Sequence, residues 1–462
     1  MGFLPTRGGS SLRAMDTPPA ESAAPPPAPA PQHGFDRRAY RDPRPSAALI
    51  RAVGWLNRRL VLPHLTRLAS FDLPPADLGR LRAAVRPGTA AFLGPNHPEF
   101  FTDWMIDKEL SSRVSPLMAH WASYEIVNVS PLAQWLWLRN NLIANVPGGG
   151  GREYSIRWAL AGHGVLLHPE GTASWHGERV GPLMPGIVDL AWETCARARE
   201  TGRNLPVLVV PIVWRLHFVG DVSSGLAREM AHIERAMELA PGNGMQIGER
   251  FAALQANLLR HQCETLGLPV PPAPAGLCGA DYFAAQDAAA EAIARELESR
   301  GAWVEHDLAR IMHRFRKIAR AGVEHPERER ERRLYLELWR LVGFPRALYD
   351  TPTLTQEAIA ENLKRVRSVF VTRGLGDALH NVVPVPVGRR IVRVRVIEPL
   401  AVHEAFAAGG DAGATRARLL EALHARLQGI LDALNMELAP LLERFRRTNP
   451  LWTGRPAHPP AD

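Results

Sequence analysis

Apolar positions along the 462-residue chain follow three different rhythms. Between Leu78 and Phe218, short unbroken apolar runs alternate with stretches of helical spacing at 103–110 and 154–161. The runs are Ala90-Ala91-Phe92-Leu93-Gly94, Gly164-Val165-Leu166-Leu167 and Leu205 to Trp214. A run of that length between turn residues reads as a strand buried on both faces. Strand–helix alternation then predicts an α/β fold, a mixed and mostly buried sheet flanked by helices. From 221 to 384 the rhythm is helical, rich in Ala, Glu, Arg and Leu, with periods at 227–239, 248–265, 283–299, 303–320 and 329–342. Arg390–Val396 then alternates charged and apolar residues, as a strand with one wet face does, and 415–446 predicts a last amphipathic helix.

Upstream of the first strand, Ile50, Val53, Leu56, Leu60 and Val61 share one helical face, with Arg51, Arg58 and Arg59 between them. Such a helix either packs on the core or lies on a membrane. Residues 1–46 hold ten of the chain's 40 prolines. That composition buries too little apolar surface to offset the entropy of ordering, so it predicts a disordered tail. The glycines Gly148 to Gly151 have no Lys-Ser/Thr after them and make no nucleotide phosphate loop. They read as a linker or as a flexible loop over a ligand.

The formal net charge of +8 favours an anionic partner: a phospholipid surface, acyl-CoA, an acidic acyl carrier protein or nucleic acid. Nucleic acid loses support because the basic residues are dispersed and form no recognisable module. Cys195, Cys263 and Cys278 are scattered and odd in number, which fits a reducing cytoplasm better than a disulfide framework and offers no metal-ligand spacing. No stretch approaches the roughly 18 consecutive apolar residues of a membrane-spanning helix. The first residues lack the basic, apolar, small-residue order of a signal peptide.

Two short segments carry candidate chemistry. Pro95-Asn96-His97-Pro98-Glu99-Phe100-Phe101-Thr102-Asp103 offers an imidazole and a carboxylate just downstream of the first apolar run. Leu167-His168-Pro169-Glu170-Gly171-Thr172 follows the second run and delivers polar groups into a turn. Histidine suits a general base because its unperturbed pKa lies near neutrality, and a carboxylate on its other nitrogen fixes the tautomer. Asn-His followed by Asp, and then Pro-Glu-Gly-Thr, resembles the glycerolipid acyltransferase superfamily, the enzymes that acylate glycerol 3-phosphate, lysophosphatidic acid and related lysolipids. The resemblance covers about residues 90–215.

It implies transfer of a fatty acyl group from acyl-CoA or acyl carrier protein to a glycerolipid or lysophospholipid hydroxyl, with no metal and no cofactor. His97 would be the base and Asp103 its orienting carboxylate. Asn96, Glu170, Gly171, Thr172 and Ser174 match the substrate-binding blocks. It also implies a cytoplasmic enzyme held peripherally at the inner face of the cell membrane. Because the family's sheet ends with a further strand and helix, residues 47–220 and 385–446 are expected to form one catalytic domain. A helical insertion at 221–384 would interrupt it, and 447–462 would trail as a flexible tail.

Two departures leave alternatives open. The family has four residues between His and Asp, and here there are five. One extra helical residue turns a side chain by about 100°, so the excess must be absorbed before the helix begins; otherwise Glu99 would substitute or the site would be dead. Two arginines that usually hold the acceptor phosphate are also missing. Either Arg152 or Arg179 takes over that charge, or the acceptor lacks a phosphate monoester beside the reacting hydroxyl. A decayed lipid- or acyl-CoA-binding protein and a thioester hydrolase are the rival readings.

Overall fold

The computed structural model describes residues 35–271, 279–301, 326–342, 351–371 and 374–452, with isolated positions between and beyond them. In chain order the strands are β1 (Leu68–Asp72), β2 (Ala90–Pro95), β3 (Ala119–Ser123), β4 (Leu142–Asn145), β5 (Val165–Leu166), β6 (Val207–Phe218), β7 (Thr353–Leu354), β8 (Arg390–Val396), β9 (Leu400–Ala401) and β10 (Arg447–Thr448). Seven run in the order β1-β8-β6-β2-β5-β3-β4, and β9 pairs with β6 to complete an eight-stranded sheet. Neighbours are parallel except β8 and β9, which both run antiparallel to β6. The fold is the α/β class that the strand–helix alternation predicts.

Side chains of period two send successive residues to opposite faces, and β2 and β6 do so without a break. Ala90, Phe92, Val207, Val209 and Val213 join one core with helices Gly151–Leu160, Gly186–Glu200 and Ala412–Leu442. Ala91, Leu93, Val210, Ile212, Trp214 and Leu216 join the opposite core with helices Pro75–Ala84 and Phe101–Val114. Between β6 and β8, helices Ser223–Ala236, Ile247–Leu266, Gly279–Ser299, Pro326–Val342 and Gln356–Phe370 share a third apolar cluster with Phe218 and Leu451. In β8, Val392, Val394 and Val396 are buried, whereas Arg393 and Arg395 pair with Asp72 and Glu437.

Several sequence expectations need correction. The tail expected to be disordered to residue 46 is engaged from Arg37, whose carbonyl accepts from Asn128 Nδ2 at 2.8 Å. Arg44 N–H and Ser46 N–H donate to Leu138 and Arg139 carbonyls, and the remainder of that tail, 1–34, lies outside the described residues. Within Gly148–Gly151, a Cβ at Gly149 would come within 2.8 Å of Tyr40 Cβ and 3.0 Å of its ring, and one at Gly150 within 2.9 Å of the ring, so these two glycines make room for Tyr40. Residues 447–452 are not loose, because β10 pairs with β7 and Leu451 is buried. The amphipathic period at 303–320 falls largely outside the described residues. The helix Gln356–Phe370, capped by the Thr355 hydroxyl, lies within the helical stretch 221–384 but at none of the five periods read there.

Candidate active site

β2 and β6 are adjacent and parallel, and the first motif begins where β2 stops. The Asn96 side chain continues the ladder: its Nδ2 donates to the Trp214 carbonyl at 3.0 Å, and Trp214 N–H donates to its Oδ1 at 2.9 Å. A buried amide satisfied twice by backbone is a strong positional lock. It fixes the next residue, His97, just past the carboxyl end of β2. His97 N–H donates to Glu170 Oε1 at 2.6 Å, and its carbonyl accepts from Ser174 N–H at 2.8 Å and Ser174 Oγ at 3.2 Å.

The extra residue between His97 and Asp103 is absorbed in the loop, since helix Phe101–Val114 begins only two residues before Asp103. Asp103 Oδ2 faces His97 Nδ1 at 2.9 Å and accepts from Glu99 N–H at 2.8 Å, while Oδ1 accepts from Trp214 Nε1 at 3.1 Å. With two N–H groups already donating to it, Asp103 is the acceptor toward His97. Hydrogen-bond logic then places the ring hydrogen on Nδ1 and leaves Nε2 as the basic nitrogen. Burial first, then the Glu99 charge, pushes the Asp103 carboxyl well above its usual range, against the Glu99 N–H, while the Asp107 charge adds to the rise. A carboxylate with raised proton affinity is the stronger acceptor for that ring hydrogen. His97 keeps 14% of its side-chain surface and Asp103 none, so of the pair only the histidine is open to solvent.

Glu99 does not substitute for Asp103. Its side chain turns away into a buried cluster, where Lys364 Nζ donates to Oε1 at 2.8 Å and Arg390 Nη1 bonds the same oxygen. Arg390 Nη2 also reaches Thr102 Oγ1 at 3.0 Å. Although burial opposes the charge, Arg390 and Lys364 hold Glu99 down to about 2. Lys364 itself is held down to about 8 by burial and by the like charge of Arg390, so the two cations do not contribute equally. The loop that absorbs the extra residue is therefore pinned from below by a strand and by the Gln356 helix.

The second motif completes the floor. Glu170 is buried and spends both oxygens on backbone: Oε1 on His97 N–H and Oε2 on Gly181 N–H at 2.9 Å. It clamps the His97 and Gly181 segments together. Gly171 has φ +70, a conformation glycine alone adopts without strain, and Thr172 stays half-buried beside it. Gly177 N–H donates to Glu361 Oε2 at 2.8 Å, a second brace from the Gln356 helix. Of the two candidate phosphate-binding arginines, Arg152 is tied to Glu193 and Arg179 is exposed on its turn.

His168, Asp107 and Trp214, none of them a candidate on sequence grounds, also lie at the site. His168 stacks on His97 with ring centroids 4.1 Å apart and bonds Asp107 at 3.0 Å. The spacing of Asp103 and Asp107, four apart on one helix, was the available signal. Among the described residues, no group of three or more His, Cys, Asp or Glu side chains converges as metal ligands. No protein-family model matches the chain, and no curated protein matches it.

Proposed function

We propose that this chain is an O-acyltransferase that moves a fatty acyl group from acyl-CoA or acyl carrier protein to the hydroxyl of a glycerolipid or lysophospholipid. The observation that carries the reading is the His97–Asp103 contact at 2.9 Å, formed despite the longer spacing and buttressed by Trp214 and the Glu99 N–H. His97 Nε2 takes the acceptor hydroxyl proton as the oxygen attacks the thioester carbonyl. The C–S bond breaks, and His97 returns the proton to the departing thiolate. Asp103 holds the tautomer. Its replacement by Asn is expected to lower kcat by about 10²–10⁴-fold with KM little changed, because an amide presents a donor or a weaker acceptor to Nδ1. Steady-state acyl transfer by the folded variant checks this; an unchanged kcat would remove Asp103 from the mechanism.

The pairing of Arg152 with Glu193 and the exposure of Arg179 support an acceptor without a phosphate monoester next to the reacting hydroxyl. A lysophosphodiester is expected to outperform lysophosphatidic acid in a direct competition of acceptors. The reverse order would assign phosphate recognition to one of those arginines.

We further propose that the protein associates with a membrane surface. Among the described residues no helix is long and apolar enough to cross a membrane. Trp55, Leu56 and Leu60 are exposed on the first helical segment, and Leu132 and Trp135 on helix Pro131–Arg139. Backbone hydrogen bonds from Arg44 and Ser46 to Leu138 and Arg139 join the two regions. Arg139 lies over the Trp135 ring at 5.2 Å, and Arg51 and Arg59 are exposed nearby in sequence. Exposed Trp and Leu with flanking Arg suit an anionic bilayer surface on the cytoplasmic side. Replacing Trp55 and Trp135 together by Ala is expected to weaken cosedimentation with anionic vesicles by about tenfold or more; equal sedimentation would exclude this face.

A further inference from the structure

The His97 ring lies face to face with a second imidazole. His168 is 4.1 Å away, centroid to centroid, and 19° from parallel. Both nitrogens of His168 meet acceptors: Nδ1 faces the Asn96 carbonyl at 3.0 Å, and Nε2 faces Asp107 Oδ2 at 3.0 Å. A carbonyl oxygen only accepts, so Nδ1 carries a hydrogen. A neutral ring with its hydrogen there would set the bare Nε2 lone pair against a carboxylate oxygen. The His168–Asp107 pair must therefore hold one proton more than a neutral imidazole and a carboxylate contain.

We infer that His168 and Asp107 form a protonated pair whose cationic ring, stacked on His97, keeps His97 neutral until it accepts the proton of a substrate hydroxyl. His168 is a positioning residue in this account: it touches His97, not the reacting atoms. A fixed positive ring disfavours a second one beside it, so His97 rests as a base. Once protonated, it gives the proton up readily to the thiolate. That last step rests on the acyltransferase reading; the resting protonation of the two rings does not.

The surroundings agree. Burial works against a charged His168, yet the Asp107 charge and hydrogen bond raise it above its ordinary value, and burial raises Asp107 as well. Both directions favour an extra proton on the pair. From the same helix, Lys108 is pushed down to about 8 by burial and bonds Asn140 Oδ1 at 2.8 Å. From β3, His120 is driven well below its ordinary value by burial, with Lys108 and His168 adding to it, and stays neutral. Glu170 on the same turn adds a favourable charge toward His168, and Trp214 from β6 meets its ring edge-on at 5.6 Å. Toward His97 the opposing influence is Asp103, whose negative charge attracts the proton that His168 repels.

The test is a pH titration of the full chain with ¹⁵N-labelled histidine, the His97 and His168 signals assigned by substitution. His168→Phe keeps a stacked ring and removes the charge; His168→Gln serves as the second variant if the first does not fold, and Asp107→Asn removes the counter-charge. The expected result is a wild-type His168 protonated on both nitrogens at pH 7. In His168→Phe, His97 should titrate about one pH unit higher than in wild type, and the acid limb of kcat/KM should rise with it. A His168 that is neutral at pH 7, or a His97 midpoint unmoved in the folded variants, overturns the inference. Doubly protonated His168 without acyl transfer would sink the proposed function and leave this inference standing.

Discussion

Glu99→Gln is expected to cost the fold about 3–5 kcal/mol, because it leaves the buried Arg390 and Lys364 side chains without their counter-charge. Lys364→Met is expected to change stability by less than about 1 kcal/mol, since it leaves a one-to-one Glu99–Arg390 pair and removes a cation that burial, and then the like charge of Arg390, hold down to about 8. Urea denaturation at pH 7 compares the two, and equal losses would contradict this ranking of the cations. The pH dependence has a defined sign. Arg390 and Lys364, working against burial, hold Glu99 down to about 2 from an ordinary value of 4.5. A carboxyl depressed on folding contributes stability that is complete above its unfolded pKa and is lost as pH falls through the folded one. Wild type should therefore lose this contribution between roughly pH 5 and pH 2, and Glu99→Gln should be flatter across that window.

His97→Ala is expected to lower the rate of acyl transfer by about 10³-fold, the scale on which a positioned general base acts. The fold should survive, because the contacts that anchor residue 97 to Glu170 and Ser174 run through its backbone. The variant keeps the loop and loses only the imidazole. Circular dichroism and steady-state kinetics together check this, and full activity in a folded His97→Ala protein would place the proton transfer elsewhere.

What the sequence revealed and what it hid have physical reasons. The apolar runs of β2 and β6 were plain because both faces of those strands are buried. Asn96, His97, Glu170 and Ser174 were legible because each motif is contiguous, and the structure brings both motifs together past the carboxyl ends of the parallel neighbours β2 and β5. The fate of the extra residue before Asp103 was not legible, since it depends on whether Glu99 finds charges beneath it, and those come from residues 364 and 390. The Gln356 helix escaped notice although Ile359, Leu363 and Val366 carry its period. It buries Glu357, Glu361, Lys364 and Arg365 as well, which erases the contrast between an apolar and a polar face. His168 was in view but without a role. Its stacking on His97 follows from β2 and β5 being parallel neighbours, paired Leu93 to Leu166, each with its histidine shortly after. That pairing is a matter of strand order, which no local pattern encodes. Two of the chain's three lysines, Lys108 and Lys364, turn out to be buried near this site.

The measurement that bears most directly on the account is thiol release from a panel of acyl-CoAs, and from acyl carrier protein, with and without lysophospholipid acceptors, for wild type and His97→Ala. Wild type is expected to release thiol only with an acceptor and to form the acylated lipid in equal amount, and His97→Ala to release none. Release that ignores the acceptor and liberates free fatty acid would make the protein a thioester hydrolase. Lipid or acyl-CoA binding without any release would make it a binding protein, and either result would contradict the transferase.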